Sequence, residues 1–164
     1  MLAQEPVLAE LAGRLAEAES LFFIGRVRGY PVAREGAQKF KEISYRHAEA
    51  YQTSELKHGP LALIGPAVPT VAIVPDDELV ERNVAALHEI SARRGPLIVV
   101  THEGVSLGGL SSEQAEQIVV PRSERELDPI LLTIPLQLLA YHAAKRLGHD
   151  IDKPRNLAKS VTVE

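Results

Sequence analysis

The chain has 164 residues, of which 45% are hydrophobic and 24% charged, and this is enough for one domain with a substantial core. Its net charge of −4 gives no support for nucleic-acid binding, no apolar run suggests a membrane span, and its first residues lack the features of a signal peptide. The absence of cysteine excludes disulfides, a thiolate zinc site and a cysteine nucleophile, and it fits a cytoplasmic protein.

The first part of the chain predicts a helix, a strand and a second helix. Apolar residues recur at helical spacing over residues 7–18. The unbroken apolar run within residues 20–25 predicts a strand that is covered on both faces, as in a parallel sheet. A helix is expected over residues 30–47. Residues 48–64 are interpreted as irregular, with one short helix near His58.

Three further strands are predicted in the second part of the chain, at residues 70–74, 97–101 and 117–121. Asp76 and Asp77 are candidate N-caps of a helix that should end near Arg94. The Gly- and Ser-rich residues 104–112 are typical of a loop. This half of the sequence therefore continues the alternation of strands and helices.

The last predicted element is a long helix over residues 129–147. Asp128 is its candidate N-cap, Gly148 is a stop signal, and Pro135 should bend it. Because strands and helices alternate throughout, we predict a single α/β domain in which helices flank a parallel sheet with right-handed crossovers.

Three segments of the sequence carry a resemblance to a known family. They are the segment from Glu35-Gly-Ala-Gln-Lys-Phe-Lys-Glu42 to Glu55-Leu-Lys-His58-Gly, the segment Ile134-Pro-Leu-Gln-Leu-Leu-Ala-Tyr-His142, and the terminal Pro154–Glu164. Over about residues 21–164 the chain resembles the second sugar-isomerase (SIS) subdomain of glutamine:fructose-6-phosphate aminotransferase, also called glucosamine-6-phosphate synthase. The resemblance implies a three-layer SIS fold with a parallel sheet of about five strands, and a C-terminal tail or lid at 148–164.

The resemblance also implies catalytic roles for four side chains. Glu42 aligns with the glutamate that moves a proton between the first two carbons of the open-chain sugar, and Lys39 with a lysine at the same site. His58 aligns with a histidine that opens the sugar ring in the neighbouring subunit's active site. Lys159 aligns with the lysine that forms an imine with the sugar. The implied substrate-binding residues are Glu35 and Ala158.

These residue types suit the implied chemistry. Isomerisation through an enediol needs a base such as Glu42, whose pKa should be raised by partial burial, and a nearby ammonium such as Lys39 to stabilise the enediolate. An imine-forming Lys159 should have a pKa depressed by burial or by cations such as Arg155. The mechanism requires no metal or cofactor, and no metal-ligand spacing occurs in the sequence.

Plainer interpretations exist for each candidate. Glu35, Lys39, Glu42 and Arg46 could form a solvated helix face, and His58 and Lys159 could be exposed surface residues. A functional role for this charged stripe is favoured because its helix follows the first strand. The start of the helix therefore lies at the sheet edge where ligands of α/β proteins bind. Among the other histidines, two are expected to pack on helices (His47 and His142) and three to lie at the surface (His88, His102 and His149).

The sequence departs from the family at two positions and lacks one feature. Val27 and Ser54 stand where glycine is usual, and either change could alter a loop near the site. The Ser/Thr-rich loop that grips the sugar phosphate belongs to the first SIS subdomain, and this chain has no equivalent. The resemblance therefore indicates an incomplete part of a longer enzyme that acts with a first SIS subdomain and a glutaminase module.

Three functions agree with these features of the sequence. The first is the isomerase part of the synthase, which makes glucosamine 6-phosphate from fructose 6-phosphate and glutamine-derived ammonia. The second is a phosphosugar-binding SIS module without catalysis, and the third is a SIS-family deglycase. The terminal Pro154–Glu164 favours the first. A histidine that acts in a neighbouring subunit implies a homodimer, and a sugar phosphate is the expected ligand.

Overall fold

The computed structural model describes residues 2–157, so the predicted site residues Ala158 and Lys159 lie outside the described residues. The helices of the described part are α1 (Glu5–Glu17), α2 (Gly29–Ser44), α3 (Val80–Ser91) and α4 (Asp128–Arg146). Its strands are β1 (Ser20–Gly25), β2 (His47–Gln52), β3 (Thr70–Val74), β4 (Leu97–His102) and β5 (Glu116–Val120). Short 3-10 helices are at Leu2–Gln4, Thr53–His58, Pro60–Leu63 and Arg125–Leu127.

The five strands form one parallel sheet in the order β2-β1-β3-β4-β5. Apolar side chains of α1, α2 and α4 pack on one face in a cluster that includes Phe23 and Phe40. On the other face, α3 and the segment after β2 pack in a second cluster that includes Phe22 and Leu56. The predicted three-layer α/β fold with about five parallel strands is therefore confirmed.

Close contact between α2 and α4 depends on a glycine. A Cβ atom added to Gly36 would lie 2.6 Å from Leu136 Cδ1 and 3.0 Å from Phe23 Cδ1. Only hydrogen fits in this space, so the missing side chain lets α2 lie close to both α4 and the sheet. This packing fixes the helix that carries Glu35, Lys39 and Glu42.

The edge strand β2 was not predicted. The helix predicted over 30–47 is confirmed as α2, but it ends at Ser44, because Tyr45 takes a left-handed backbone conformation with φ of 58°. The prediction of an irregular segment from residue 48 is wrong where β2 forms, and His47, expected to pack on a helix, is an exposed residue of this strand. His47–Gln52 then pairs with β1 in parallel register. Its sequence, His-Ala-Glu-Ala-Tyr-Gln, contains few residues with high β propensity, and an edge strand needs less apolar patterning than a central one.

The predicted N-caps are also corrected. Helix α3 begins at Val80, and Asp77 Oδ1 instead accepts a hydrogen bond from the Leu79 N–H at 2.8 Å. Asp128 is the first residue of α4 and does not cap it. Its carboxylate is held by other side chains, as described below. Pro135 lies inside α4, and a bend there stays a prediction.

Helix α4 with its preceding turn, Arg125–Arg146, is long and apolar enough to cross a membrane by length and composition alone. The expectation that no apolar run suggests a membrane span therefore does not hold by length and composition. Its apolar side packs into the core with α1 and α2 through residues such as Leu136 and Leu139. A buried core helix passes the same test, so the finding is weak evidence for a membrane span.

Candidate functional site

Three of the predicted site residues form one charged stripe on α2. Lys39 Nζ lies 2.8 Å from Glu42 Oε2 and 3.8 Å from Glu35 Oε1. Gln38 Nε2 donates a second hydrogen bond, of 2.7 Å, to Glu42 Oε1. The side chain of Glu42 is 22% exposed, that of Lys39 39% and that of Glu35 44%. The carboxylate of Glu42 is thus the most enclosed group of the stripe, and both of its oxygens are occupied.

The electrostatics of the stripe differ from the expectation. Partial burial acts to raise the pKa of Glu42, but hydrogen bonds from Lys39 and Gln38 outweigh it and hold the pKa below its ordinary value. The hydrogen bond to Glu42 in turn raises the pKa of Lys39. The prediction that burial raises the pKa of Glu42 is therefore wrong for this state, because the ammonium beside it favours the charged carboxylate.

The stripe does not lie at the ligand-binding edge of the sheet, as its predicted helix had suggested. The first residue of α2, Gly29, follows the carboxyl end of β1, but Glu42 lies thirteen residues further on, in the last turns of the helix. At 1.5 Å per residue this is about 20 Å along the helix from the edge where α/β proteins commonly bind ligands. Proximity to that edge therefore gives no support to Glu42 as a site residue.

His58 is the exposed last residue of the 3-10 helix Thr53–His58. This helix follows the carboxyl end of β2, whereas Glu42 lies in the part of α2 that precedes β2. The six residues of β2 span about 20 Å. In one chain, the two predicted catalytic groups therefore lie toward opposite ends of the edge strand.

The last described residues return to the end of α2. The ring of His149 stacks on the ring of Tyr45, with centroids 4.5 Å apart, and the guanidinium of Arg155 lies 4.3 Å from the centroid of the same tyrosine. The backbone N–H of Arg155 donates a 2.9 Å hydrogen bond to the hydroxyl of Tyr45. Because Tyr45 lies three residues after Glu42, the start of the C-terminal segment is fixed beside the charged stripe.

Between α2 and β2 lies a groove of about 410 Å³, lined in part by Glu35, Gln38, Lys41 and Ala50. Glu35 thus faces both Lys39 and this groove. A larger groove of about 620 Å³, which includes Arg14, Pro69 and Pro96, lies at the amino ends of the central strands and contains none of the predicted site residues.

A second charged cluster lies at the carboxyl edge of the sheet. His102 is buried, not at the surface as predicted, and its Nδ1 accepts a 3.0 Å hydrogen bond from the N–H of Asp76. Its Nε2 lies 3.1 Å from Asp128 Oδ1 but is poorly aligned for a hydrogen bond. Arg28 lies 3.9 Å from both Asp77 and Asp128. The cluster joins the turn before α2, the loop after β3, the end of β4 and the first turn of α4 through one guanidinium, two carboxylates and one imidazole.

Sequence reasoning did not identify Tyr45 or the cluster around His102 as important. The sequence offers one indication for Tyr45. The position directly after a helix end often requires glycine or asparagine, so a tyrosine there is unusual. His102 is the last residue of the buried strand β4, and the end of such a strand is often enclosed by loops. Within residues 2–157, no group of three or more His, Asp or Glu side chains is arranged to hold a metal ion.

Comparisons with known proteins agree with the fold. A family model described as "SIS domain" matches residues 14–145. The chain is 49% identical over 164 residues to the glutamine–fructose-6-phosphate aminotransferase [isomerizing] of Pectobacterium atrosepticum, covering 100% of this chain and 27% of that protein. The protein of the same name from Pseudomonas aeruginosa is 49% identical over 99% of this chain and 26% of its own length.

Solved structures show the same relationship. The C-terminal domain of glucosamine-fructose-6-phosphate aminotransferase from Francisella tularensis superposes with a TM-score of 0.86 at 40% identity, covering 93% of this chain and 42% of that one. A glucosamine-6-phosphate deaminase from Thermotoga maritima, at 22% identity and a TM-score of 0.64, shows the shared fold alone. The chain spans about a quarter of the length of the curated relatives that it matches.

Proposed function

The chain belongs to the SIS domain family, and from this premise we propose that it is the second sugar-isomerase subdomain of a glucosamine-6-phosphate synthase. On this proposal, residues 1–164 form one domain with 148–164 as a terminal lid, and the complete protein is a cytoplasmic enzyme that makes glucosamine 6-phosphate from fructose 6-phosphate and glutamine-derived ammonia. One observation carries the proposal, namely that the start of the C-terminal segment is held at Tyr45, beside the Lys39–Glu42 pair.

In the proposed reaction, Glu42 is the base that takes a proton from one carbon of the open-chain sugar and returns it to the neighbouring carbon. A carboxylate whose pKa is low is a weak base, so Glu42 must lose the hydrogen bond from Lys39 before it reacts. A sugar oxygen that accepts a hydrogen bond from Lys39 would provide this release. Lys39 would then stabilise the developing enediolate while Glu42 becomes more basic.

The remaining predicted residues complete the proposal. The uncharged amine of Lys159 would add to the carbonyl carbon of the sugar, and the adduct would lose water to give an imine; ammonia would then replace the lysine nitrogen at that carbon and release Lys159. The Ala158 backbone and Glu35 would contact the substrate. His58 would open the sugar ring in a neighbouring copy, which agrees with its distance from Glu42 in its own chain. The proposed assembly is a homodimer in which a first SIS subdomain grips the phosphate and a glutaminase module supplies ammonia.

A chimera tests this function directly. The chain is 48% identical, over all 164 residues, to part of the glutamine–fructose-6-phosphate aminotransferase of Escherichia coli. We would replace the matching segment of that protein with this chain and measure glucosamine 6-phosphate formed from fructose 6-phosphate and glutamine. Activity well above that of an Escherichia coli protein lacking the segment is the expected result.

Two substitutions in the chimera separate the possible outcomes. Glu42→Gln should abolish isomerisation, whereas Glu113→Gln, in an exposed loop before β5 at the opposite edge of the sheet, should leave turnover unchanged. A folded chimera that binds fructose 6-phosphate without turnover would favour the non-catalytic module. Turnover that survives Glu42→Gln would contradict the role of Glu42.

A further inference from the structure

Glu42 is held by two donors of different kinds, one on each carboxylate oxygen. Lys39 Nζ lies 2.8 Å from Oε2, and Gln38 Nε2 donates a 2.7 Å hydrogen bond to Oε1. The ammonium of Lys39 carries a full charge, whereas the amide of Gln38 carries none. Because Gln38 comes four residues before Glu42, the two side chains are neighbours on the same face of α2.

The two donors have different parts in the proposed reaction. Lys39 leaves Oε2 for a sugar oxygen, where an ammonium stabilises the developing enediolate. The amide of Gln38 has no such partner, and its N–H suits Oε1 both in the carboxylate and in the protonated acid, where Oε1 is the carbonyl oxygen. Because the hydroxyl oxygen of a carboxylic acid is the weaker acceptor, this hydrogen bond directs the proton to Oε2.

We propose that Gln38 is a positioning residue that fixes the Glu42 carboxylate through Oε1, so that Oε2 is the oxygen that exchanges a proton with the sugar. The inference rests on the proposed function and adds a residue to which the family resemblance assigns no role. Gln38 does not touch the reacting carbon atoms, and it acts through Glu42.

The charges that act on Glu42 come from its own helix, and they are those of Lys39 and Lys41. Strand β2 and helix α4 pack against α2 through apolar side chains. The segment after α4 brings two further titratable groups to the end of α2, which lie against Tyr45 and form no ion pair with Glu42 within residues 2–157, namely His149 and Arg155. The second donor on α2 therefore decides how the carboxylate is oriented once Lys39 has moved.

A neutral donor suits a group that acts as a base. Partial burial raises the pKa of Glu42, and the hydrogen bonds from Lys39 and then Gln38 lower it. Lys39 adds the attraction of its charge to its hydrogen bond, so it weakens the base more than Gln38 does. When Lys39 moves to the sugar, Gln38 keeps the carboxylate in place while the larger part of the loss in basicity is removed.

Gln38→Met and Gln38→Lys test this role in different ways. Methionine keeps the length and the helix propensity of glutamine but has no donor, and lysine restores a donor together with a positive charge. Gln38 is exposed, so both variants should fold. The matched control is Gln117→Met, at an exposed glutamine of β5, the strand at the opposite edge of the sheet from β2.

The readout is the rate at which the chimera exchanges a hydrogen on C1 of fructose 6-phosphate with D2O, measured by NMR as a function of pH at saturating substrate. This exchange follows the proton that Glu42 takes from the sugar and returns to it. The acid limb of the profile reports the pKa of the base, and the plateau reports the rate when the base is fully ionised.

Gln38→Met should move the acid limb to higher pH, because a hydrogen bond that favours the carboxylate is lost. A more basic carboxylate by itself would speed exchange. A carboxylate that is free to enter about three rotamers should instead slow the plateau about threefold. Gln38→Lys should restore the plateau and move the acid limb to lower pH, and Gln117→Met should match the parent.

The outcomes separate this role from the proposed function. An active parent whose Gln38→Met variant keeps the plateau rate would overturn the role of Gln38 alone, even if the acid limb moves, because an electrostatic effect without positioning would explain that result. A folded chimera without exchange, or exchange that survives Glu42→Gln, would overturn the proposed function and, with it, this extension.

Discussion

Lys39 and Glu42 form a direct ion pair within one turn of α2, with Nζ 2.8 Å from Oε2. The pair is reinforced by the hydrogen bond from Gln38 to the other carboxylate oxygen. Each charged group therefore moves the pKa of the other away from neutrality, that of Glu42 downward and that of Lys39 upward. Two groups that are proposed to act on the same substrate thus hold each other in their charged forms when no substrate is bound.

The pair predicts how Glu42 titrates when its partner is removed. Lys39→Met should raise the pKa of Glu42, because the substitution removes a hydrogen bond and a positive charge and leaves the burial that opposes ionisation. The measurement is a carbon-detected NMR titration of the Glu42 carboxyl. Lys57→Met, which breaks the separate Lys57–Glu89 pair, is the control and should not change this titration. An unchanged Glu42 pKa in Lys39→Met would refute the electrostatic description.

The same pair predicts a pH window for its contribution to stability. A carboxyl whose pKa is lower in the folded than in the unfolded protein stabilises the fold above its unfolded pKa, and this contribution is lost as pH falls through the folded pKa. A lysine whose pKa is raised loses its contribution only as pH rises through that value. Glu42→Gln should therefore lower the free energy of unfolding by about 0.5 kcal/mol at pH 7, as for a partly exposed pair.

Chemical denaturation at pH 7 and at pH 3 checks this window. The difference between the parent and Glu42→Gln should shrink as the pH falls from 7 toward 3, because the contribution of the pair is lost as the carboxyl of the parent takes up a proton. Glu113→Gln, at an exposed loop position, should change stability by less than about 0.5 kcal/mol at both pH values. A Glu42→Gln effect that is equal at both pH values would argue that the side chain stabilises the helix through packing.

Val27 occupies a left-handed position in the turn between β1 and α2. Its φ is 46° and its side chain is 62% exposed, so a β-branched residue bears backbone strain there without compensating burial. The turn keeps its hydrogen bond from Gly29 N–H to the Arg26 carbonyl. Val27→Gly should therefore raise the free energy of unfolding by about 1 kcal/mol, the steric cost of this conformation.

Thermal and urea unfolding of Val27→Gly measure the effect. Val7→Gly is the opposite case, since Val7 is 51% exposed but lies within α1, where glycine lowers helix stability. This control should be destabilised by about 0.5 kcal/mol. If both substitutions destabilise the protein, the strain assigned to Val27 is absent.

The sequence predicted the elements whose apolar patterns are strong. The buried strands β1, β3 and β4 and the helices α1 and α4 have unbroken or periodic apolar residues, which local reasoning detects. Strand β2 was missed because its stability comes from pairing with β1 and not from its own composition. Tertiary pairing of this kind has no local signal in one sequence.

In the candidate site, too, features with a local sequence pattern were predicted and features that depend on tertiary contacts were not. The stripe of Glu35, Lys39 and Glu42 follows from helical spacing, and the structure brings the three side chains together. The sign of the Glu42 pKa shift did not follow, because it depends on which partner each carboxylate oxygen meets. His102 is enclosed by Asp76 and by Asp128, which are distant from it in sequence, so composition gave no indication of its burial.

Asp128 should be structurally important through its contacts with Arg28 and His102. Its side chain is 9% exposed, and it faces the Arg28 guanidinium and the His102 imidazole from the first turn of α4. Asp128→Asn keeps the size of the side chain but leaves the largely buried Arg28 with less compensation, as Asp77 alone remains. Breaking a fully buried ion pair costs about 3–5 kcal/mol, but the Arg28 side chain is 30% exposed and 3.9 Å away, so we expect a loss of about 1–2 kcal/mol.

Urea denaturation measures this loss. Asp152→Asn, an exposed aspartate in the turn after α4, should change the free energy of unfolding by less than about 0.5 kcal/mol. A circular dichroism spectrum like that of the parent would show that Asp128→Asn still folds. Equal stability of the two variants would mean that the cluster at the carboxyl edge contributes nothing to the fold.

Two glycines in helices should respond to the same substitution with opposite signs. At Gly36, an added Cβ would lie 2.6 Å from Leu136 Cδ1 and 3.0 Å from the rigid ring of Phe23, so Gly36→Ala must displace buried side chains between α2, α4 and the sheet. Overpacking of this kind costs about 1–3 kcal/mol, which exceeds the gain in helix propensity. At Gly13 in α1, nothing lies within 4 Å of an added Cβ, and Gly13→Ala should stabilise the protein by about 0.5–1 kcal/mol. Urea denaturation of both variants compares the two effects directly. Because α2 carries Glu42 and Tyr45, Gly36→Ala should also weaken the protection of the Arg155 amide, and unchanged protection together with unchanged stability would show that the contact between α2 and α4 adapts freely.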